Sequence, residues 1–395
     1  MKLLRWVAFS ISLSALCLLS SCLGSSEVKI GVIVPREESN LADYGSQIDF
    51  GIRLAFKEVE ALSKAGGLKK TYKLEWEAEK DDPEQVKESF MRLKNKKVSA
   101  IIGATSSAAT LALTELTNKN KIVLLSPASS SPEINSGSGD FVFRNYPSDT
   151  LEAQKLSNII FQKCRIQKVL MVRARNAFSE GITYEMLKFG RKGSNRIPNE
   201  VVKFDSDPNS VDYAAVADRI IEVNPEAVFL GAYTNQLIPL IQEIRTREEL
   251  SNLYIFTCSA FVYEDAVNKL GKDAMEGIMF SAYHWDPQET KPEVSKFATT
   301  FENEFTVKPG IFAATGYDAL WILVKAIEEV NHSLPDEIRS QLNNEVFYGV
   351  LGETDFNKRG DVTRIPLIYR ITDGMKTPLR DEDIEKIKND VLTRI

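Results

Sequence analysis

The chain has 395 residues, of which 49 are Lys or Arg and 55 are Asp or Glu, giving a formal net charge of −6 at pH 7. This balance argues against nucleic-acid binding, because a phosphate-binding face needs clustered positive charge and the chain offers only short basic runs at 69–70 and 94–97. The length exceeds that of one compact domain and predicts two.

The first predicted element is an export signal. Lys2 and Arg5 form a basic start, and the apolar stretch from Trp6 to Leu19 is typical of a signal-peptide core. That stretch is too short to span a bilayer comfortably, and no later stretch approaches the roughly 20 apolar residues of a membrane helix. We therefore expect residues 1–21 to be a cleaved signal peptide.

The signal ends in Leu19-Ser20-Ser21-Cys22, where small residues precede a cysteine. This arrangement resembles the bacterial lipobox and predicts cleavage before Cys22, a lipid on the Cys22 side chain, and a tether over residues 22–27. The alternative is an ordinary secretory peptide that is cut between Ala15 and Ser21 and leaves Cys22 free.

Beyond the tether, short β-branched runs alternate with longer helical patterns, which is typical of parallel sheets built from βαβ units. Two such series follow each other, so we expect an α/β fold in which each half is an open sheet. The predicted elements are strand 28–34, helix 42–64, strand 74–78, helix 83–94, strand 98–102, helix 108–118, strand 122–125, helix 149–163, strand 168–172, helix 181–189, strand 201–204, helix 210–223, strand 227–230, helix 235–246, strand 253–257 and strand 278–280.

The two halves repeat one local pattern, in which a strand turns into a helix at a glycine. Gly103 is followed by Ala104-Thr105-Ser106, and Gly231 is followed by Ala232-Tyr233-Thr234. Each turn places helix-start N–H groups and hydroxyls at the carboxyl edge of its sheet, which is where open α/β sheets bind ligands. A simple turn and cap is the alternative for either glycine alone, but two such edges favour a cleft.

Enzyme chemistry has little support in the sequence. The chain contains neither G-x-G-x-x-G nor G-x-x-x-x-G-K-[ST], and its two histidines, His284 and His332, have no metal-ligand spacing. The cysteines Cys164 and Cys258 are expected to be small buried residues rather than a disulfide, because they fall at opposite ends of a parallel sheet. We predict no catalytic residues, no metal and no cofactor.

Several short motifs, in order and spacing, resemble the leucine/isoleucine/valine-binding family of periplasmic solute receptors, the type I periplasmic binding proteins of ABC transporters. The likeness extends from about residue 28 to 371. The motifs are Val34-Pro35, Tyr44-Gly45, Gly66-Gly67, Ile102-Gly103, Ser106-Ser107, Ser126-Pro127-Ala128-Ser129-Ser130-Ser131-Pro132, Phe143-Arg144, Ser148-Asp149, Gly316-Tyr317-Asp318-Ala319, Phe356-Asn357 and Gly360-Asp361.

The resemblance implies two Rossmann-like lobes joined by three crossovers, which close on a ligand held between them. Residues 28–146 with 283–353 are expected to form lobe 1, and residues 147–282 with 354–395 to form lobe 2. The helix that begins near Ile311 is expected to return to the first sheet.

The resemblance also assigns a ligand site. An amino-acid ligand offers a carboxylate, which needs N–H and O–H donors, and an ammonium, which needs acceptors. Ser107, Ser130 and the backbone of Ala128 match the family positions that hold these two groups, and Tyr44 matches an aromatic beside the ligand. The ligand-binding set implied in full is Tyr44, Ser106, Ser107, Ala128, Ser129, Ser130, Asp149, Phe178, Tyr233 and Ser259.

The second half departs from the family pattern. Where amino-acid receptors commonly offer a tyrosine and an acidic residue, this chain has Phe178 and Ser259. An ammonium without a carboxylate partner loses a charge-assisted contact of roughly 1.5 to 3 kcal/mol, so a less cationic ligand is expected. Asp149, Glu264 or Asp265 could supply the missing charge.

The function implied is an extracytoplasmic solute-binding lipoprotein of an ABC importer. It would bind a small polar solute such as an amino acid or a related carboxylate or amide, would deliver it to a transporter permease, and would sit in the cell envelope, lipid-anchored to a membrane and facing the periplasm or the exterior. The alternative is an interaction or sensor lipoprotein of the same fold, for example an activator of cell-wall synthesis. A filled, apolar cleft would favour that alternative.

Overall fold

The computed structural model describes residues 27–36, 39, 41–80, 82–135, 141–193 and 200–394. The predicted signal peptide, the lipobox and Cys22 lie outside the described residues. The predicted tether reaches one residue too far, because Glu27 already belongs to the first strand and pairs with Thr71. None of the described helices combines the length and the apolar character needed to cross a bilayer.

Strands and helices alternate along the described chain, as expected for βαβ units. The strands are β1 (Glu27–Pro35), β2 (Thr71–Glu79), β3 (Ala100–Ile102), β4 (Val123–Ser126), β5 (Val142–Arg144), β6 (Val169–Ala174), β7 (Val201–Phe204), β8 (Ala227–Gly231), β9 (Tyr254–Thr257), β10 (Met279–Ala282), β11 (Val346–Gly349), β12 (Gly352–Asp355), β13 (Leu367–Thr372) and β14 (Met375–Pro378). The α-helices are α1 (Ala42–Lys64), α2 (Pro83–Asn95), α3 (Ser107–Asn120), α4 (Asp149–Ser157), α5 (Ala177–Gly193), α6 (Tyr213–Val223), α7 (Thr234–Thr246), α8 (Tyr263–Met275), α9 (Pro292–Phe305), α10 (Ile311–Glu328), α11 (Pro335–Asn344) and α12 (Asp381–Thr393).

The first sheet contains β1 to β5 in the order β2-β1-β3-β4-β5, with all neighbours parallel. Its interior strand β1 is a nearly continuous buried apolar run, as parallel strands covered on both faces require. Helices α1 and α10 pack on one face and cross closely at two glycines. A Cβ on Gly51 would lie 2.0 Å from the carbonyl oxygen of Ala313, and one on Gly316 would lie 2.5 Å from that of Ile48.

The second sheet has the order β14-β13-β10-β9-β8-β6-β7. The strands from β10 to β7 are parallel, while β13 and β14 extend the sheet as antiparallel strands from the C-terminal part of the chain. A separate hairpin of β11 and β12 lies beside α10. The cysteines Cys164 and Cys258 are both buried and unbridged, as predicted.

The chain passes between the two sheets three times: after β5, after β10 and after β12. The predicted fold class, two Rossmann-like lobes with three crossovers, is therefore confirmed. We propose that the lobes divide the chain at about residues 146 and 283, as the sequence suggests, but near residue 364 instead of 353. Phe356 and Val362 lie in the core of the first sheet, and the Arg144 N–H donates to Gly360 O at 3.0 Å, so the residues just after 353 stay with lobe 1. The packing of α10 against α1 and the pairing of β13 with β10 support this division.

Some elements differ from the sequence prediction for physical reasons. The three-residue strand β5 is too short to show a period, and the predicted helix 149–163 changes at Ser157 into a π-helical turn over Asn158–Lys163. The strands β13 and β14 were not predicted. They form because β13 pairs with β10, a strand that is distant in the sequence and has a free edge in the second sheet.

Candidate ligand-binding site

A small cavity lies between the carboxyl ends of the strands of the two sheets, and we call it the central pocket. Its volume is about 30 Å³, which is room for about two water molecules. Seven of the ten residues predicted from the sequence line it: Tyr44, Ser107, Ala128, Ser130, Phe178, Tyr233 and Ser259. Five further residues complete the lining: Leu41, Thr105, Tyr146, Ala260 and Phe312.

The three other predicted residues lie beside the central pocket and do not line it. Ser106 is the N-cap of α3, where its hydroxyl accepts from Ala109 N–H, and it faces a neighbouring cavity of about 110 Å³. The buried Ser129 hydroxyl lies 2.7 Å from that of Thr110 on α3 and within 3.2 Å of the carbonyl oxygens of Ala104 and Thr105, so it links its loop to α3 and to the turn before it. Asp149 is fully buried at the start of α4.

Ser107 presents a hydrogen-bond donor to the central pocket. Its Oγ accepts from the backbone N–H of Ser130 at 3.3 Å and of Ser131 at 3.2 Å. A hydroxyl oxygen has two lone pairs, and both are used here, so its hydrogen remains to donate. The Ser107 hydroxyl donates no hydrogen bond to another described residue, and the residue is buried, with 2% of its surface exposed. This donor suits a carboxylate or carbonyl oxygen of a ligand.

Glu79, which the sequence reasoning did not select, accepts hydrogen bonds from two backbone N–H groups that precede Ser107 in the chain. Its carboxylate, at the end of β2, accepts from the N–H groups of Thr105 at 2.6 Å and Ser106 at 2.8 Å. Burial raises the pKa of Glu79 to about 7, while these N–H and hydroxyl groups oppose the rise. The N–H groups of Thr105 and Ser106 are therefore already bonded and do not face a ligand. The donors expected from the sequence remain only at Ser107 and Ser130.

Glu152 was also missed, and it lies directly behind Ser259. The carboxylate accepts from Ser259 N–H at 2.6 Å, from the Ser259 hydroxyl at 2.7 Å and from the Ser281 hydroxyl at 2.5 Å. Burial raises the pKa of Glu152, and the hydroxyls of Ser281 and Ser259 oppose the rise. The sequence signal was weak, since a Glu three residues into a helix is typical of a helix surface.

Asp149 and Glu152 form a pair of buried acids, one turn apart on α4. Both Asp149 carboxyl oxygens lack a hydrogen-bond partner among the described residues. Burial raises the pKa of Asp149 well above its usual range and the charge of Glu152 raises it further, while the nearby Ser130 hydroxyl and Arg144 oppose the rise. Two buried carboxyls so close together cannot both ionise at low cost, so the pair retains a proton.

Aromatic rings form most of the remaining lining. Phe178 stacks on Tyr233 with ring centroids 4.9 Å apart, and Tyr44 meets Phe312 edge to face at 5.0 Å. The Tyr44 hydroxyl joins the two lobes, because it donates to Ala260 O at 2.8 Å and accepts from Thr234 N–H at 3.2 Å. The lobes are thus in contact, and any solute larger than a few atoms needs them to part or these rings to turn.

A larger cavity of about 570 Å³, the side cavity, lies beyond Tyr44 and Phe312 and shares both with the central pocket. Glu264 and Asp265, considered from the sequence as replacement acids, line the side cavity and not the central pocket. Glu264 is paired with Lys376 at 3.0 Å. The volume lies in the range of small-molecule sites, which is roughly 300 to 1,000 Å³.

No metal-ion site stands out among the residues that the structure describes. Those residues contain no cluster of three or more His, Cys, Asp or Glu placed to hold a metal ion. His284 and His332 are exposed on the surface, each beside a single glutamate.

Comparison with known proteins agrees with this architecture. Residues 27–374 match the sequence profile of the periplasmic binding protein family. The leucine-, isoleucine-, valine-, threonine- and alanine-binding protein of Pseudomonas aeruginosa is 21% identical over 348 residues, which covers 87% of this chain and 89% of that protein.

Two solved structures share the fold. The substrate-binding protein of a branched-chain amino acid transporter from Streptococcus pneumoniae, in complex with isoleucine, has a TM-score of 0.76 at 22% identity, covering 89% of this chain and 98% of that one. A solute-binding protein from Rhodopseudomonas palustris, in complex with 3,4-dihydroxybenzoic acid, also has a TM-score of 0.76 at 19% identity, covering 89% and 96%. The chain therefore belongs to the periplasmic binding protein family, and within it to the type I substrate-binding proteins of ABC transporters, which act outside the cytoplasm and are not enzymes.

Proposed function

We propose that this protein is the solute-binding lipoprotein of an ABC importer, and that it holds an amino acid or a related small carboxylate in the central pocket. The observation that carries the proposal is the free Ser107 hydroxyl, a buried donor that faces a pocket between two lobes. Such a donor gains most from an anionic oxygen, because charge-assisted hydrogen bonds are about twice as strong as neutral ones.

A thermal-shift screen tests the proposal on the purified protein. The panel contains alanine, valine, leucine, isoleucine, threonine, benzoate and 3,4-dihydroxybenzoate. A solute present at about 100 times its Kd stabilises the folded state by about 2.7 kcal/mol, which raises the melting temperature measurably. If no solute in the panel or in a wider set of amides and short acids raises the melting temperature, the proposal fails.

The lipid anchor is a second part of the proposal, and the Leu19-Ser20-Ser21-Cys22 motif supports it. A single lipidated cysteine would hold the body at the membrane surface. We expect Cys22→Ala to accumulate as precursor or released protein, whereas Cys17→Ala, inside the signal, should be processed and membrane-bound as in the wild type. Mature wild-type protein with an unmodified N-terminus in the soluble fraction would contradict the anchor.

A second candidate function is an interaction or sensor lipoprotein that binds no solute. The observation in its favour is the small volume of the central pocket, whose lining includes five aromatic rings: Tyr44, Tyr146, Phe178, Tyr233 and Phe312. The two candidates differ in one respect that is simple to measure. A transport receptor must open and close around a solute, so X-ray scattering should show a more compact particle when the solute is added.

A further inference from the structure

The two serines on opposite sides of the central pocket offer opposite hydrogen-bond polarity. Ser107 has used its lone pairs and keeps a hydrogen to donate. Ser259 is the reverse: its hydroxyl donates to Glu152 Oε2 at 2.7 Å. The Tyr146 hydroxyl donates to the Ser259 oxygen at 3.2 Å, so what Ser259 offers to the pocket is its one remaining lone pair.

The charge behind Ser259 is not balanced by a cation of its own. Arg144, the buried guanidinium of this region, is already engaged: its Nε lies 2.5 Å from Asp361 and its Nη1 lies 2.8 Å from Ser131 O. Asp149 adds a second fully buried carboxyl without a partner among the described residues. An unpaired buried charge is costly, so this side of the pocket is poised to gain from an incoming positive charge.

We propose that Glu152, acting through the Ser259 hydroxyl, is the residue that selects a ligand carrying an ammonium group, while Ser107 receives the ligand's carboxylate. This inference rests on the proposed solute-binding function and adds a specificity residue to it. It also reverses the expectation of a less cationic ligand, which followed from Ser259 alone. Glu152 on α4, three residues after Asp149, takes the place of the acidic residue that amino-acid receptors commonly have where this chain has Ser259.

Binding of an ammonium has a consequence that a merely structural glutamate would not have. A cation beside the acid pair favours its ionised form, so the proton that the pair retains is released to the buffer on binding. Affinity should therefore fall as pH is lowered. Other titratable groups also face the pair: Arg144, Tyr146, Glu185, Tyr233, Cys258 and Tyr283. For this reason the test uses variants as well as pH.

The test compares amino acids with the acids that lack only the ammonium: leucine with 4-methylpentanoate, and valine with 3-methylbutanoate. Calorimetry on the wild-type protein should give at least about a tenfold weaker affinity for the acid of each pair, as expected for a lost charge-assisted contact. Titrations in buffers of different ionisation enthalpy should show proton release with the amino acids and none with the acids.

Glu152→Gln is nearly isosteric and should reduce the affinity for the amino acid about tenfold or more, abolish the proton release, and bring the two ligands of each pair close together. Ser259→Ala leaves Glu152 in place and should reproduce the narrowed gap. Glu328→Gln serves as the control: Glu328 is also buried, but it bonds Tyr72 at the opposite end of β2 from the pocket. It should lower stability and leave the preference unchanged.

The outcomes separate the two levels of the proposal. If the acids bind as tightly as the amino acids, or if folded Glu152→Gln retains the full preference, solute binding stands and the role of Glu152 is overturned. If neither the amino acids, the acids nor the wider screen stabilises the protein, solute binding itself fails and the inference fails with it. The melting temperature of each variant establishes that it is folded.

Discussion

Glu79 and Glu152 are both buried glutamates that bond residues lining the central pocket, and the difference between them is the basis of our proposal that the pocket distinguishes the two ends of a ligand. Glu79 accepts from two backbone N–H groups at the start of α3, where the helix dipole favours a negative charge. Glu152 accepts mainly from hydroxyls and has an unpaired acid beside it. The Glu79 carboxylate therefore has its hydrogen-bond partners in the protein. In our proposal, the Glu152 carboxylate leaves a negative region beside the pocket that a cation can occupy.

The largest expected effect on affinity is at Ser107 and Ser130, on the side of the central pocket that offers hydrogen-bond donors. The double variant Ser107→Ala with Ser130→Ala removes two hydroxyls from the pocket, and at roughly 0.5 to 1.5 kcal/mol each the affinity for a bound solute should fall by about one to two decades. Calorimetry measures this with the amino acid that gives the largest thermal shift. Unchanged affinity would place the site elsewhere.

The neighbouring Ser106→Ala is the matched control for that variant. Because Ser106 caps α3 and lies outside the central pocket, its loss should cost about 1 kcal/mol of stability and leave affinity within about twofold. A large loss of affinity in Ser106→Ala would return this residue to the ligand site.

A smaller effect is expected when Glu79 is changed. Glu79→Gln keeps one acceptor oxygen and turns an NH₂ group towards Thr105 or Ser106, which leaves a buried N–H unsatisfied and should cost about 2 kcal/mol in the free energy of unfolding. Urea denaturation measures this loss. Retention of full stability in the variant would show that Glu79 does not cap the turn.

The pH dependence of stability sharpens the same comparison. The pKa of Glu79 is raised from 4.5 to about 7, so the folded state holds a proton that the unfolded state has released between these values. The stability contributed by this group is present below pH 4.5 and is lost as pH rises through about 7. Glu79→Gln should flatten that decline, and the exposed Glu84→Gln should leave it unchanged.

The smallest effect is expected at the contact between the lobes. Tyr44→Phe removes the hydroxyl that joins Ala260 and Thr234 across the pocket but keeps the ring, so the closed form loses about one hydrogen bond. Affinity should weaken about threefold, mainly through faster dissociation. Stopped-flow fluorescence measures the two rates, and the exposed Tyr184→Phe is the control. A slower dissociation in Tyr44→Phe would contradict the role of this contact in closure.

Much of the fold follows from local sequence patterns. The buried run of β1 and the single apolar face of α1 are visible in the sequence, and the predicted helix 42–64 coincides with Ala42–Lys64. The antiparallel addition of β13 could not be foreseen, because Leu367 in β13 pairs with Ala282 in β10 although several helices and a hairpin lie between them in the chain. Local patterns establish an element, while its partner depends on tertiary packing.

The residues of the candidate site also fall into those that local patterns predict and those that depend on tertiary packing. Ser107 and Ser130 follow buried strands at a sheet edge, so strand order and the family resemblance together predict them. Glu152 is a single acid inside a helix, and only the packing of α4 brings it to Ser259, which is 107 residues away along the chain. A polar residue that acts through another residue leaves no local signal of its role.

A crystal structure of the protein grown with leucine tests the central claim most directly. The account predicts that the lobes close on leucine in the central pocket, with its carboxylate about 3 Å from Ser107 Oγ and its nitrogen about 3 Å from Ser259 Oγ, in front of Glu152. A leucine bound in the opposite orientation, with its carboxylate at Ser259, or one bound in the side cavity would contradict the account.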